Sequence, residues 1–265
     1  MTNEFPQVLT IAGSDCDGSA GMQADMNTFF ARNVYGMSVL TACVAGNSYG
    51  IEDSITLAPD FIAKQCEVLA KDFKIRAVKT GMLADLTTIK SVIKLLKEYD
   101  FGKLVVDPVI ITKHGNMLLE EEAYDELRTN LLPLADIITP NFYETEKIAE
   151  IKLSNETDIM QAAEILQSDG VKNIVIKGKH DGQSDVVKDY VRLENGKSFW
   201  LSHPFVDTEH INGTGDTLSA CIVAELAKGF NVEDAIRIAV KYTYECIAHP
   251  ISVGHKFGPI NHWAK

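Results

Sequence analysis

Six short apolar runs, each stopped by a glycine or a proline, alternate with helix-like segments along most of the chain. No other feature constrains the fold as strongly. A short run without polar residues at every second position has no face to offer water, so it reads as a strand covered on both sides. "VLTIA" (8–12) stops at Gly13, "MSVLTACVA" (37–45) at Gly46, and "RAVKTGM" (76–82) in a glycine turn. "KLVVDPV" (103–109) and "ADIITPN" (135–141) are stopped by prolines, and "NIVIKG" (173–178) by its own glycine. Between them, 21–33, 60–73 and 86–99 read as helices, and in the last Ile89, Val92, Ile93 and Leu96 share one face. Ile159, Ala162, Ala163 and Leu166 mark a further helix. "DYVRLENGKSFWLSHP" (189–204) sets two β-rich runs around ENGK, a hairpin signal. Two helices, about 216–228 and 233–248, follow, and the second carries apolar residues on most faces, so it is expected to be largely buried.

The expected fold is α/β, a mostly parallel central sheet with helices on both faces. No repeat, low-complexity tract or linker interrupts the 265 residues, so one domain over 1–265 is expected. No stretch approaches the roughly 18 consecutive apolar residues of a membrane span. "MTNEFPQ" lacks the basic-then-apolar pattern of a signal peptide, so a cytoplasmic protein without membrane contact is expected. The net charge of −12 argues against a nucleic-acid partner. It leaves room for a small anion, because a few groups can reverse the field within one cleft. The five cysteines (Cys16, Cys43, Cys66, Cys221 and Cys246) form no CxxC pair and read as buried, reduced thiols. No HExxH is present among the histidines, which speaks against a zinc hydrolase.

In open α/β sheets, ligands bind beyond the carboxyl ends of the strands. The polar and glycine clusters of this chain fall there: 13–21, 46–50, 80–82, 107–116, 139–144, 177–182 and 207–216. Neither GxxxxGK[ST] nor a GxGxxG after the first strand occurs, so a P-loop and a dinucleotide fingerprint are both absent. Phosphate binding needs only backbone amides at a helix N-terminus. "NGTGDT" (212–217) offers this, with Gly213 and Gly215 freeing the backbone and Asp216 at the positive pole of the following helix. Such a carboxylate beside an anion hole can take a proton from an attacking hydroxyl. The other reading is that Asp216 or Thr217 only caps the helix.

The remaining motifs are each open to two readings. Asn141 and Glu144 in "TPNFYE" could organise a hydrated Mg²⁺ or form a capping box. Lys177 or Lys179 in "IKGKH" could reach a nucleotide phosphate or be solvated. "AGSDCDGSAGMQAD" (12–25) allows close backbone approach to a ligand, and Asp25 is either part of that site or a solvated helix aspartate. "DPVIITKHGNMLL" (107–119) reads either as a flap over a site or as a surface loop.

Taken in order, "AGSD…GSAGMQAD", "KTGML", "VVDPV", "ITPNxxE", "IKGKH", "GTGDTLSA" and "VGHKFGP" resemble the hydroxymethylpyrimidine/phosphomethylpyrimidine kinases of the ribokinase-like superfamily, over about residues 6–262. The resemblance implies a ribokinase-like domain, ATP and Mg²⁺ as cofactors, and a small heteroaromatic alcohol as acceptor. It also implies a homodimer, with neither nucleic acid nor membrane as partner. Position by position, it implies Gly13, Asp25, Gly46, Met82 and Val109 around the ring of the acceptor. It implies Asn141, Lys177 and Thr214 on the ATP side, and Asn141 with Glu144 towards Mg²⁺ through water. Gly213 and Gly215 fall at the anion hole and Asp216 at the catalytic position.

Three departures bear on the acceptor. Asp216 stands where many pyrimidine kinases of this type carry cysteine. Gly46 stands where they usually carry Glu or Gln against the aminopyrimidine. Asp17, Gly18 and Ser19 stand where Ser-Gly-Gly is usual. Thr112 in the flap and Asp216 together also lack the cysteine pair that some pyridoxal-specific relatives use. A pyridoxine or pyridoxal kinase is therefore kept as the alternative, with a non-catalytic binding protein on the same fold as the distant one.

Overall fold

The computed structural model describes residues 4–111, 119, 121–179, 182 and 184–264. Nine strands form one sheet in the order β3-β2-β1-β4-β5-β6-β7-β8-β9. They are β1 (Gln7–Asp15), β2 (Tyr35–Asn47), β3 (Gly50–Thr56), β4 (Ile75–Thr80), β5 (Lys103–Val106), β6 (Ile137–Ile138), β7 (Asn173–Ile176), β8 (Val186–Arg192) and β9 (Ser198–Pro204). The stretch from β2 to β7 is parallel, while β3, β8 and β9 join antiparallel at the two ends. The expected mostly parallel sheet is present, and its strands begin and end within a few residues of the apolar runs.

Helices cover both faces. One face carries α2 (Pro59–Asp72), α3 (Leu86–Glu98), α4 (Glu121–Glu126), α5 (Phe142–Ala149) and α6 (Glu156–Ser168). The other carries α1 (Gly21–Ala31), α7 (Thr214–Ala227) and α8 (Val232–Ala248). Adjacent strand residues feed opposite cores, as a two-residue period requires. Leu9, Val78, Val106 and Ile138 pack towards the first group, and Val8, Ala77, Val105 and Ile137 towards the second. No helix among the described residues is long and apolar enough to cross a membrane.

Several expectations are corrected. The more deeply buried of the last two helices is α7, where every residue from Thr217 to Glu225 is buried. Its small residues (Ser219, Ala220, Cys221, Ala224) let it lie between the sheet and its neighbours. By contrast α8 keeps an outer face that includes Glu233, Arg237 and Lys241, the stripe pattern of a half-buried helix. The 46–50 cluster is a tight hairpin turn into β3, whose seven residues are all exposed. The 135–141 run forms only a two-residue strand, ended before Pro140. All five cysteines are free thiols, but Cys16 and Cys43 are exposed rather than buried.

Candidate active site

The loops after β1, β4, β5, β6 and β7 converge with the N-terminus of α7 at one end of the sheet. That helix starts at Thr214, two residues before the expected 216, so the GTGD sequence itself makes the first turn. Its N-cap is Gly213 with φ 80°, and no side chain caps it. The reading of Asp216 or Thr217 as a mere cap therefore does not hold. Two features demand glycine at 213: the left-handed backbone, and a Cβ that would overlap the Ser19 carbonyl oxygen. The Gly215 and Asp216 amides make no backbone hydrogen bond to described residues, leaving an uncapped helix N-terminus that can hold an anion.

Two ion pairs stand in front of that turn. Lys79, on β4, is wholly buried with Nζ 2.6 Å from Asp25 Oδ1 and 3.6 Å from Asp216 Oδ1. Asp25, on α1, is also wholly buried and its Oδ2 accepts from Thr10 Oγ1 at 2.5 Å, so it is not a solvated helix aspartate. Burial, with Asp216 adding to it and Lys79 pulling against it, pushes the Asp25 carboxyl up to about 7. Burial works against the Lys79 ammonium, but Asp25, Asp216 and Asp107 outweigh it and hold it above the usual lysine range. The second pair is Lys177 Nζ to Asp107 Oδ1 at 3.1 Å, with the Lys177 side chain only 18% exposed, which removes the solvated-lysine reading. Burial opposes that ammonium too, and Asp107 and Glu144 overcome it. Both partners face Gly215, where a Cβ would lie 3.1 Å from Lys177 Nζ and 3.2 Å from Asp107 Oδ2. Lys179 is exposed, with its Nζ 5.5 Å from the centre of the Phe142 ring.

Asn141 and Glu144 form the complete capping box of α5: the Asn141 side chain accepts from Glu144 N at 2.9 Å, and Glu144 Oε2 accepts from Asn141 N at 2.8 Å. The buried Glu144 does more than cap, because its Oε1 also accepts from Ile110 N at 2.9 Å. Asn141 Nδ2 donates to the Ile111 carbonyl at 3.0 Å. The pair thus clamps the end of the 107–111 segment. Burial raises the Glu144 carboxyl and Lys177 opposes the rise. Within that segment Val109 has φ 48°, a strained conformation for a β-branched residue. Most of the expected flap, residues 112–118 including Thr112, lies outside the described residues.

On the acceptor side, Gly13 and Met82 touch, since a Cβ at Gly13 would overlap the Met82 methyl group. Gly46 stands further out, where its N–H and C=O both engage the Cys16 thiol, at 3.3 and 3.2 Å. A Cβ at Gly46 would come 3.0 Å from the Gly50 carbonyl, so the tight β2–β3 hairpin itself favours glycine there. Beside it a cavity of about 350 Å³ is walled by Asp17, Ser19, Asn47, Tyr49, His255 and Phe257, among others. Asp17 Oδ1 accepts from Ser19 N at 2.8 Å and shapes the turn that approaches Gly213.

The site joins Asp25 and Asp216 through Lys79, brings Lys177 and Asp107 against Gly215, and has Asn141 and Glu144 holding residues 110–111; Gly13 meets Met82, Gly46 meets Cys16 and Gly50 instead, and the Thr214 hydroxyl donates to the Ile211 carbonyl at 2.7 Å. It also contains three that the sequence reading missed: Lys79, Asp107 and His262. Their only sequence signal was position, a charge just at or past the end of a buried run or within the "GPINH" tail.

A family model described as phosphomethylpyrimidine kinase matches residues 15–261. The chain belongs to that family. A hydroxymethylpyrimidine/phosphomethylpyrimidine kinase of Haemophilus influenzae is 45% identical over 260 residues, covering 97% of each chain. The crystal structure of a Clostridium difficile phosphomethylpyrimidine kinase superposes with a TM-score of 0.80 at 39% identity, covering 91% of this chain and 99% of that one. A Bacillus subtilis pyridoxal kinase in an ADP complex superposes with a TM-score of 0.90 at 33% identity, covering 98% of each. The family's members are ATP-using kinases, and the α/β sheet with helices on both faces is the fold these structures share.

Magnesium is a further requirement that the resemblance implies. Among the described residues no group of three or more His, Cys, Asp or Glu could hold a metal ion. Mg²⁺ in kinase sites keeps several waters and is held by one or two carboxylates plus substrate phosphates. Asp107 Oδ2, facing the Gly215 amide turn beside an ammonium, is a donor that fits such a phosphate-borne ion. Glu144, with both oxygens on backbone N–H groups, fits only a water-mediated contact.

Proposed function

We propose that the chain, as one kinase domain over 1–265, transfers the γ-phosphoryl group of ATP to the hydroxymethyl group of hydroxymethylpyrimidine and then to the resulting monophosphate. The observation that carries this reading is Asp216, held 3.6 Å from a buried ammonium on an uncapped helix turn.

Asp216 accepts the proton of the acceptor hydroxyl as the alcohol oxygen forms its bond to the γ-phosphorus. The bond from that phosphorus to the bridging oxygen breaks, and ADP leaves with the electron pair. The amides of Gly215 and Asp216 face the negative charge of the moving group, and Lys177 offers an ammonium to the nucleotide phosphates. Such catalysis is positioning and electrostatics rather than covalent chemistry. Mg²⁺, when bound with ATP, neutralises phosphate charge; Asp107, with Asn141 and Glu144 through water, would hold it. Gly13, Met82 and Val109 bound the ring, with Asp25 and Gly46 at its polar edges, and Thr214 lies on the ATP side. The flap read near 110–118 serves to keep water from taking the phosphoryl group. The working form is a homodimer in the cytoplasm.

Pyridoxine or pyridoxal is the second acceptor class. Gly46 offers no side chain to an aminopyrimidine, which favours it. ADP release with Mg-ATP, measured in parallel on hydroxymethylpyrimidine, its monophosphate, pyridoxine, pyridoxal and ribose, tests the assignment. Turnover on both pyrimidines is expected. Turnover confined to the B6 vitamers would overturn the acceptor, and none on any acceptor would leave a binding protein.

A further inference from the structure

Asp189, on β8, takes no part in the mechanism above, yet it is only 7% exposed. A carboxyl group out of water is costly unless it is hydrogen-bonded. Its partner is the N–H of Gly178, which Asp189 Oδ1 accepts at 2.7 Å. Burial raises the Asp189 carboxyl, and the Gly178 N–H leads the groups that oppose the rise, ahead of His203 and Lys177.

The place of this hydrogen bond gives it a use. The pairing of β7 with β8 ends at Ile176 and Tyr190. Past that pair the chain leaves the ladder but stays against β8, since a Cβ at Gly178 would come 2.5 Å from the Lys188 carbonyl oxygen. The Gly178 N–H therefore goes to a side chain instead of a strand carbonyl. Lys177, the residue between, is gripped along the backbone on both sides: its own N–H donates to the Pro140 carbonyl at 2.9 Å, and the next N–H to Asp189. Its ammonium then ends 3.1 Å from Asp107 Oδ1, in front of Gly215. A lysine stem has many rotamers, and fixing the peptides that carry it removes part of the ordering cost before a ligand arrives.

We propose that Asp189 is a positioning residue for the nucleotide: by holding the Gly178 N–H it fixes the peptide from which Lys177 reaches the phosphates of ATP. This rests on the reading of Lys177 under the proposed function.

The test measures the dissociation constants of Mg-ATP and of hydroxymethylpyrimidine separately, by calorimetry, on wild type, Asp189→Ala, Asp189→Asn and Lys177→Met. Asp189→Ala should weaken Mg-ATP by about tenfold, the loss of one buried hydrogen bond, with hydroxymethylpyrimidine unchanged. Asp189→Asn keeps an oxygen acceptor in the same place and should restore Mg-ATP to near wild type. Unchanged Mg-ATP affinity in Asp189→Ala, an equal loss for both ligands, or an Asp189→Asn protein as weak as Asp189→Ala would each overturn the proposal. Should Asp189→Ala fail to fold, Asp189→Thr is judged by the same comparison, because threonine suits a strand and its hydroxyl stands one bond short of Oδ1. Lys177→Met separates the two levels of the argument. Unchanged Mg-ATP affinity there defeats the reading of Lys177 and this proposal with it. Weakened Mg-ATP in Lys177→Met beside an unaffected Asp189→Ala defeats the role of Asp189 alone.

Discussion

His262 is 8% exposed, and its Nε2 lies 2.9 Å from the hydroxyl of Thr217, the residue after Asp216. Burial pushes its imidazole from 6.5 down to about 4, opposed weakly by Asp216. The unfolded chain therefore binds a proton that the folded chain refuses. The associated stability is present above pH 6.5 and lost as pH falls towards about 4. At about 1.36 kcal/mol per pKa unit the loss is on the order of 3 kcal/mol. His262→Gln keeps a hydrogen-bonding group without that titration, so its melting temperature should fall less steeply than wild type between these limits. Parallel curves for the two proteins would contradict the account. At this scale the sequence was legible where chemistry is contiguous. The turn of Gly213, Gly215 and Asp216 was legible as a helix start because glycines and carboxylate sit together just before the buried run. Lys79 was not legible, since its partner Asp25 is 54 positions away and a lysine in a strand usually points to solvent.

The β2–β3 ribbon is the element that sequence periodicity handled worst. Its second strand is exposed throughout, with Ile51 at 71% and Ile55 at 68%, so no buried face imprints a period on the sequence. Exposed β-branched residues on an open sheet edge are a liability unless something covers them. The homodimer proposed above gives them a cover in a second copy of the chain. Ile51→Asp with Ile55→Asp should then convert a dimer to a monomer by size in solution; a wild-type protein that is already monomeric would contradict it. The buried strands were legible to within a few residues, because parallel strands covered on both faces show as unbroken apolar runs. The deep burial of α7 was not legible for a related reason: small residues such as Ser219 and Ala220 register as weakly hydrophobic, yet they permit the closest packing.

On the scale of the whole molecule, the parallel sheet is the device that makes the site. Each crossover returns the chain to the same edge, so residues from 13 to 216 meet at the carboxyl ends of the strands although they are spread over most of the sequence. The net charge of −12 is compatible with binding a polyphosphate, because the uncapped amides of one helix turn give an anion local donors that the net charge does not report. The location of the cleft was therefore readable from where glycine and polar clusters follow apolar runs. Its ion-pair wiring was not, since pairing depends on which strands become neighbours. The central claim is that Asp216 accepts the proton in phosphoryl transfer. Asp216→Asn, assayed for ADP release on hydroxymethylpyrimidine and for ATP binding by calorimetry, tests it most directly. The account predicts kcat lower by about 10²-fold or more with ATP affinity near wild type. Near-normal kcat in the Asp216→Asn variant would contradict it.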